Sequence, residues 1–211
     1  MVYTRFYSQR YQDQFVYETY YKDRSEPGVF VEVGAYDGVT LSNTLFFEEH
    51  LNWTGLCIEP LPDAFAKLKG CRRVPCVNCA VSDMSGTATF LDVTLPNVEK
   101  TWSGLKANYD ERHMQIVRKD NGIIREYKVE VRRLGDLLDT HGMSRIDYLS
   151  IDTEGSEWKI IRGFDFQKYD VRILSLENNY QDEKIRKHII KAGYRFVRTF
   201  GGYDELYAKQ S

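Results

Sequence analysis

Val29 to Thr44 reads VFVEVGAYDGVTLSNT, and the fold turns on this stretch. Its first five residues form a short apolar run rich in β-branched side chains, the pattern of a strand buried on both faces of a parallel sheet. Gly34 ends the run in a tight turn. Ser42 and Asn43 then offer capping side chains ahead of Leu45, Phe46, Phe47 and Leu51, whose spacing suits a helix that packs back on the strand. Between the two elements, Gly34, Ala35 and Gly38 leave room for a ligand to approach the backbone closely.

Reading outward, Gly55 to Glu59 forms a second strand of the same type, and Pro62 opens a helix that ends at Gly70. Val74 to Val81 reads as a third strand. Three strand-helix alternations in this space predict a parallel, doubly wound α/β sheet. Farther on, Thr87 to Val93 and Arg125 to Arg133 alternate in the β manner and flank a polar stretch, residues 95–122, that is expected to be a lid or substrate loop. The alternation resumes with a helix over Leu134 to Thr140, a strand over Ile146 to Ile151, a helix over Ser156 to Arg162 and a strand over Val171 to Leu176. Glu183 to Ala192 forms a helix stopped by Gly193, and two last strands, Arg195 to Phe200 and Glu205 to Lys209, are joined at Gly201-Gly202.

The chemistry of the first turn narrows its ligand. The glycine spacing is GxxxG rather than the GxGxxG of dinucleotide folds, and Glu32 and Asp37 would repel a pyrophosphate. The same carboxylates would attract the ammonium and sulfonium of S-adenosylmethionine. Glu59, at the end of the second strand, stands where an acid can accept hydrogen bonds from both ribose hydroxyls. Glycine turn and strand-end acid in this order specify far more than either alone. Pro60 follows Glu59, and Ala80 and Val81, with Ser82 or Asp83 next, are placed beside the adenine by the third strand.

VFVEVGAYDGVTLSNT, GLCIEP, NCAVSD with the following Gly86, and IDYLSIDTEGSEW together resemble the FkbM-type methyltransferases, over roughly Ser8 to Lys209. The resemblance implies a class I methyltransferase Rossmann-like fold, with a mostly parallel seven-stranded sheet, helices on both faces and a final antiparallel strand. It implies that Gly34, Gly38 and Glu59 bind S-adenosylmethionine, and that a hydroxyl oxygen, often on a sugar of a glycan, receives the methyl group. Ser8-Gln9 and Tyr11-Gln12-Asp13 resemble a segment that lies near the cofactor in part of the family, so residues 1–27, with Gln12 and also Asn43, join the expected cofactor contacts. Tyr36-Asp37 departs from the family, where many members have Asn and a small residue, and leaves the acceptor open.

Ligands of open α/β sheets bind at the carboxyl ends of strands, which directs Asp152 and Glu154 into the crevice, with Glu177-Asn178 closing the neighbouring strand. Asp152, Glu177 and Asn178 resemble the oxygen ligands with which some O-methyltransferases hold magnesium, and hard oxygen donors suit Mg²⁺ or Mn²⁺. A divalent ion would stabilise the alkoxide of a sugar hydroxyl. The competing reading makes Asp152 or Glu154 a metal-free base. His113, within the expected lid, is a third candidate base, and Trp102 and Tyr109 are candidates to stack on a sugar face. Glu154 and Glu157 can also be explained as caps of the helix that begins near Ser156.

The chain has 211 residues, 29 of them basic and 31 acidic, and 42% are hydrophobic. That length favours one domain over residues 1–211, and the near-cancelled charge argues against nucleic acid or an anionic membrane as partner. With no signal-peptide pattern and no spanning run, the expected location is the cytoplasm. Cys76-Val-Asn-Cys79, with Cys57 and Cys71 nearby, formally permits a zinc or redox site, against the plainer reading of small buried residues. Rival functions are methylation of a non-sugar small molecule, a nicotinamide-dependent oxidoreductase, disfavoured by the missing third glycine, and a non-catalytic interaction domain.

Overall fold

The computed structural model describes residues 5–96 and 102–210. The chain opens with a helix, α1 (Gln12–Val16), that runs on into one π turn (Tyr17–Tyr21). It then alternates through β1 (Val29–Val33), α2 (Leu45–Leu51), β2 (Thr54–Ile58), α3 (Pro62–Cys71) and β3 (Cys76–Val77). A middle section follows, with β4 (Ala80–Val81), β5 (Gly86–Thr94), β6 (Gly104–Leu105), α4 (Glu111–Lys119) and β7 (Ile123–Arg132). The last third comprises α5 (Leu134–Thr140), β8 (Arg145–Ile151), α6 (Glu157–Arg162), β9 (Asp170–Glu177), α7 (Glu183–Lys191), β10 (Tyr194–Phe200) and β11 (Asp204–Lys209).

Seven strands form the main sheet in the order β10-β11-β9-β8-β1-β2-β3. β1 pairs in parallel with both β2 and β8, and the connections run outward from it in opposite directions, so the crevice of an open α/β sheet falls at its carboxyl end. Only β11 runs antiparallel to its neighbours β9 and β10. The central strands β1 and β8 are buried nearly throughout, as their near-continuous apolar runs require, with one core cluster on each face of the sheet. This is the class I methyltransferase architecture.

The expected third strand, Val74 to Val81, is instead two short ones in different sheets. β3 pairs with β2, whereas β4 pairs with β7 in a second sheet of order β4-β7-β5-β6. Asn78 explains the switch. Its side-chain amide donates to the carbonyls of Glu59 (2.8 Å) and Pro60 (3.0 Å), so the end of β2 is satisfied without further ladder and the chain is released. β5 and β7 pair from Gly86↔Val131 to Thr94↔Ile123 and form a long antiparallel arm.

Nor is the expected lid structureless. Residues 97–101 of it lie outside the described residues, and the remainder forms β6, one 3₁₀ turn (Lys106–Asn108) and α4. It carries its own small core of Leu91, Val93, Leu95 and Val117, against which Trp102, Tyr109 and Met114 pack. No described helix is long and apolar enough to cross a membrane.

Candidate active site

A cavity of about 980 Å³, including its open mouth, lies at the carboxyl ends of β1, β2 and β8. Glu32, Gly34, Ala35, Asn43, Glu59, Pro60, Ala80, Val81, Asp152 and Glu154 all line it. Gly34 is the tightest point. Its φ is +86°, and a Cβ there would stand 1.8 Å from the backbone oxygen of Asp152, so only glycine lets β1 and β8 end side by side. The Gly34 and Ala35 amides both donate to the Ile58 carbonyl at 3.0 Å, which ties the turn to β2 as well.

Glu59 is buried, and its carboxylate accepts from the amides of Tyr36 (2.9 Å) and Leu61 (2.8 Å). Burial pushes its pKa up to about 7 against the lowering effect of those two amides, with Asp92 and Asp37 adding to the rise. Asn43 donates from its amide nitrogen to Ser150 at 3.0 Å, while its Oδ1 is buried without a hydrogen-bond partner.

Three expected cofactor contacts lie outside the cavity wall. Gln12 bonds Asp204 at 2.8 Å, beside Glu177 at the carboxyl end of β9. Asp37 is turned into its own loop, accepting from the amides of Val39 and Thr40 and from the Thr40 hydroxyl. Although burial opposes it, these bonds hold the Asp37 pKa below the ordinary carboxylate value. Gly38 serves packing: a Cβ there would sit 2.8 Å from both Cys71 and Leu68 of α3. Ser82 and Asp83 also lie outside, Asp83 paired with Arg162.

Glu32 lines the cavity, yet its charge is answered from behind. Arg72, its side chain fully buried, lies 3.1 Å from Glu32 and 2.5 Å from Glu48. Ser42, Thr44 and the Asn43 amide complete the shell around Glu32. Of the two acids expected to attract a cation, Glu32 is thus neutralised from behind and Asp37 is turned into its own loop. Sequence reading missed Arg72 because an isolated arginine after a helix carries no signature. It also missed Phe90 and Leu105 of the second sheet and Ser103 just before β6, which line the cavity wall.

Asp152, Glu154 and Glu177 bring carboxylate oxygens within 4.8 Å of one another, the one such cluster among the described residues. Asn178, expected as the third metal ligand, is occupied otherwise: its Oδ1 accepts the Asp182 amide at 2.8 Å and orders the start of α7. Glu154 is the third carboxylate of the cluster. The Glu154 backbone is held in the left-handed region at φ +53°, a conformation that non-glycine residues rarely adopt. Neighbouring Gly155 is covered so closely by the 3₁₀ turn that an added Cβ would lie 2.7 Å from the Asn108 carbonyl. Of the expected helix caps, Glu157 does serve its turn, accepting from Thr153 and from the Gly155 amide.

Glu154 also lines a second cleft, together with His113, Arg112, Trp158, Glu177 and Tyr180 among others. His113 lies 5.0 Å from Trp102, 5.9 Å from Tyr109 and 5.5 Å from Tyr180 between ring centres. Trp102 and Tyr109, expected to stack on a sugar, instead back His113 from the small core, and Tyr109 donates to the Trp102 carbonyl. Tyr180, which sequence reading missed, faces the cleft. The cysteines form no metal cluster: Cys79 packs in one core and Cys57 in the other, while Cys57 and Cys76 are register partners on β2 and β3.

Among solved structures, a methyltransferase FkbM from Methylobacillus flagellatus is 13% identical, with a TM-score of 0.53 over 96% of this chain and 48% of that one. The N-terminal domain of human METTL16, solved in complex with SAH, is 11% identical, with a TM-score of 0.50 over 94% of this chain and 66% of its own. The chain thus spans about half the length of the first relative, and at these identities the likeness is one of fold. No curated protein sequence matches the chain. The model of the methyltransferase FkbM domain, however, matches residues 32–196, which include the glycine turn, Glu59 and the carboxylate cluster. The chain belongs to the FkbM methyltransferase family.

Proposed function

We propose that this protein transfers a methyl group from S-adenosylmethionine to a hydroxyl oxygen of a sugar-like acceptor. The observation that supports it best is the join at Glu154: a nucleoside-sized cavity beside Glu59 meets a second cleft at a cluster of three carboxylates. The residues present fit the donor. Glu59 suits a pair of ribose hydroxyls, and the partnerless Oδ1 of Asn43 is a buried acceptor suited to an ammonium or hydroxyl donor. Bound there, the donor supplies a methyl group already activated by its sulfonium.

The protein's own tasks are then orientation and proton removal. A neutral hydroxyl is a poor nucleophile, and Asp152 or Glu154 is placed to take its proton as the oxygen is alkylated, a contribution of roughly 10²–10⁴-fold for a positioned base. Holding acceptor and methyl in line contributes through orientation. A second reading adds a divalent ion held by Asp152, Glu154 and Glu177, favoured by the closeness of their oxygens. Such an ion would acidify the hydroxyl.

Isotopically labelled donor incubated with a panel of glycans, followed by mass spectrometry, tests the reaction. Label on an oxygen is the expected outcome; label on nitrogen or carbon, or on none of the panel, would sink the reading. Asp152→Ala should abolish turnover while donor binding, measured by calorimetry, is largely kept. If activity survives thorough chelation and added Mg²⁺ or Mn²⁺ changes nothing, the ion has no part.

A further inference from the structure

The second cleft lies between the N-terminal ends of two helices, α4 and α7. Helix N-termini carry partial positive charge and unsatisfied amides, and two of them flanking a cleft would ordinarily favour an anion. Here each is already plugged by an aspartate of its own. Asp110 caps α4, accepting the Arg112 amide at 2.7 Å, and Asp182 caps α7, accepting the Lys184 amide at 3.0 Å. The same two carboxylates also hold the cleft's two permanent cations: Arg112 reaches Asp110 at 2.8 and 2.9 Å, and Lys184 reaches Asp182 at 2.6 Å.

Both arms of the cleft therefore repeat one motif, an aspartate cap bonded to a cation two residues on. Glu154 and Glu177 line the same space, while Glu157 is turned back onto Thr153 and Gly155 and burial favours its neutral form, so four carboxylates face two cations and His113 among the described residues. Whatever pairs with what, the lining is negative overall. Its aromatic faces are also partly taken: Arg112 lies 3.4 Å from the ring centre of Tyr180, and Lys184 lies 5.3 Å from that of Trp158.

We propose that this cleft selects the acceptor by charge, admitting polyhydroxylated molecules that are neutral or carry an amine and rejecting those that carry a carboxylate or phosphate. Asp110 and Asp182 are the specificity-determining residues. The inference rests on the methyltransferase reading and sharpens its acceptor.

The test uses three probes that differ in one group: methyl glucopyranoside, the corresponding 2-amino-2-deoxy glycoside, and the corresponding glucuronide. Their binding is compared by saturation-transfer NMR on the whole protein with S-adenosylhomocysteine present. The neutral and amino probes should bind, and the glucuronide should be weaker by roughly tenfold at low salt. Asp110→Asn with Asp182→Asn keeps both helix caps, since Asn caps as well as Asp, while removing two negative charges. This double variant should raise glucuronide binding relative to the neutral glycoside by roughly threefold or more.

A glucuronide that binds the native protein as tightly as the neutral glycoside overturns the proposal, and so does a folded double variant with an unchanged ratio between the two. If none of the three probes binds while calorimetry shows that S-adenosylhomocysteine does, the charge selection alone is lost. If S-adenosylhomocysteine itself fails to bind, the methyltransferase reading falls and the inference with it.

Discussion

The cavity beside Glu59 and the second cleft share Glu154 but are built on different principles. The first is made of strand ends: Gly34, Ala35, Glu59 and Asp152 are fixed by ladder and turn hydrogen bonds of the main sheet, and the walls are backbone and small side chains. The second is made of long side chains, Arg112, His113, Trp158, Tyr180 and Lys184, delivered by three helix starts and a loop. A site held by sheet hydrogen bonds tolerates almost no change in shape. A site held by side-chain packing can be re-lined one residue at a time without disturbing the first.

If that contrast is right, the largest effects should come from the first site's supports. Replacing Arg72 with Met strands Glu32 and Glu48 as buried charges and should cost about 3–5 kcal/mol in urea unfolding, with donor binding lost as the loop from Thr40 to Thr44 loosens. A cost below about 1 kcal/mol would mean that water or relaxation replaces the arginine easily. Gly34→Ala comes next. With a Cβ 1.8 Å from the Asp152 carbonyl, β1 and β8 must part, for an expected loss of about 3 kcal/mol and no measurable donor binding. Normal donor affinity in a stable Gly34→Ala protein would show that the ends of β1 and β8 part easily.

The same contrast sets what could be read from the sequence. β1, β2, β8 and β9 announce themselves as short apolar runs, and Gly34 and Glu59 are legible because glycine at a strand-to-helix turn and an acid at a strand end each have one obvious use. The break between β3 and β4 was not legible. It depends on the Asn78 side chain replacing a backbone ladder, which nothing in the alternation of residues 74–81 reveals. Asp37 misled because a carboxylate after glycine reads as a ligand contact, when an Asx turn uses it equally well. That Glu154 joins Asp152 and Glu177, and that Asn178 orders the start of α7, could not be read for a similar reason: a left-handed residue and a helix-start amide are properties of backbone geometry, not of residue type.

Glu59 gives a smaller, pH-dependent effect that still belongs to the first site. Its folded pKa, near 7, stands above the ordinary carboxylate value of 4.5, so the protonated form is favoured by folding. Its contribution to stability is fully present below the unfolded value and is lost as pH rises through about 7. Donor binding should run the other way, because ribose hydroxyls donate to an ionised carboxylate. Calorimetry from pH 8 to pH 6 should show affinity falling by up to about tenfold per unit below the folded pKa, with protons released on binding and an observed enthalpy that depends on the buffer. Glu59→Gln should weaken binding at high pH and flatten the profile. An unchanged slope in that variant would assign the titration to another group.

The second site should give the smallest effect, and His113 is where to look for it. Its ring is enclosed by Trp102, Tyr109 and Tyr180 at 5.0 to 5.9 Å, and it enters the second cleft rather than the cofactor cavity. The carboxylate cluster of Asp152, Glu154 and Glu177 stands at the junction of cavity and cleft, so proton removal does not need an imidazole. His113→Phe keeps a flat ring of similar size and removes both nitrogens. Turnover within about threefold of the native rate, on whichever acceptor the labelled-donor experiment identifies, is expected if His113 braces α4 against the loop that carries Tyr180. His113→Ala removes the ring as well and should lower stability by about 1 kcal/mol while weakening the acceptor KM more than kcat. A loss of roughly 10²-fold or more in kcat for the Phe variant, with the acceptor KM unchanged, would instead make the imidazole the base. The second cleft would then hold a reacting group, and its walls could not be re-lined as freely as its side-chain construction suggests.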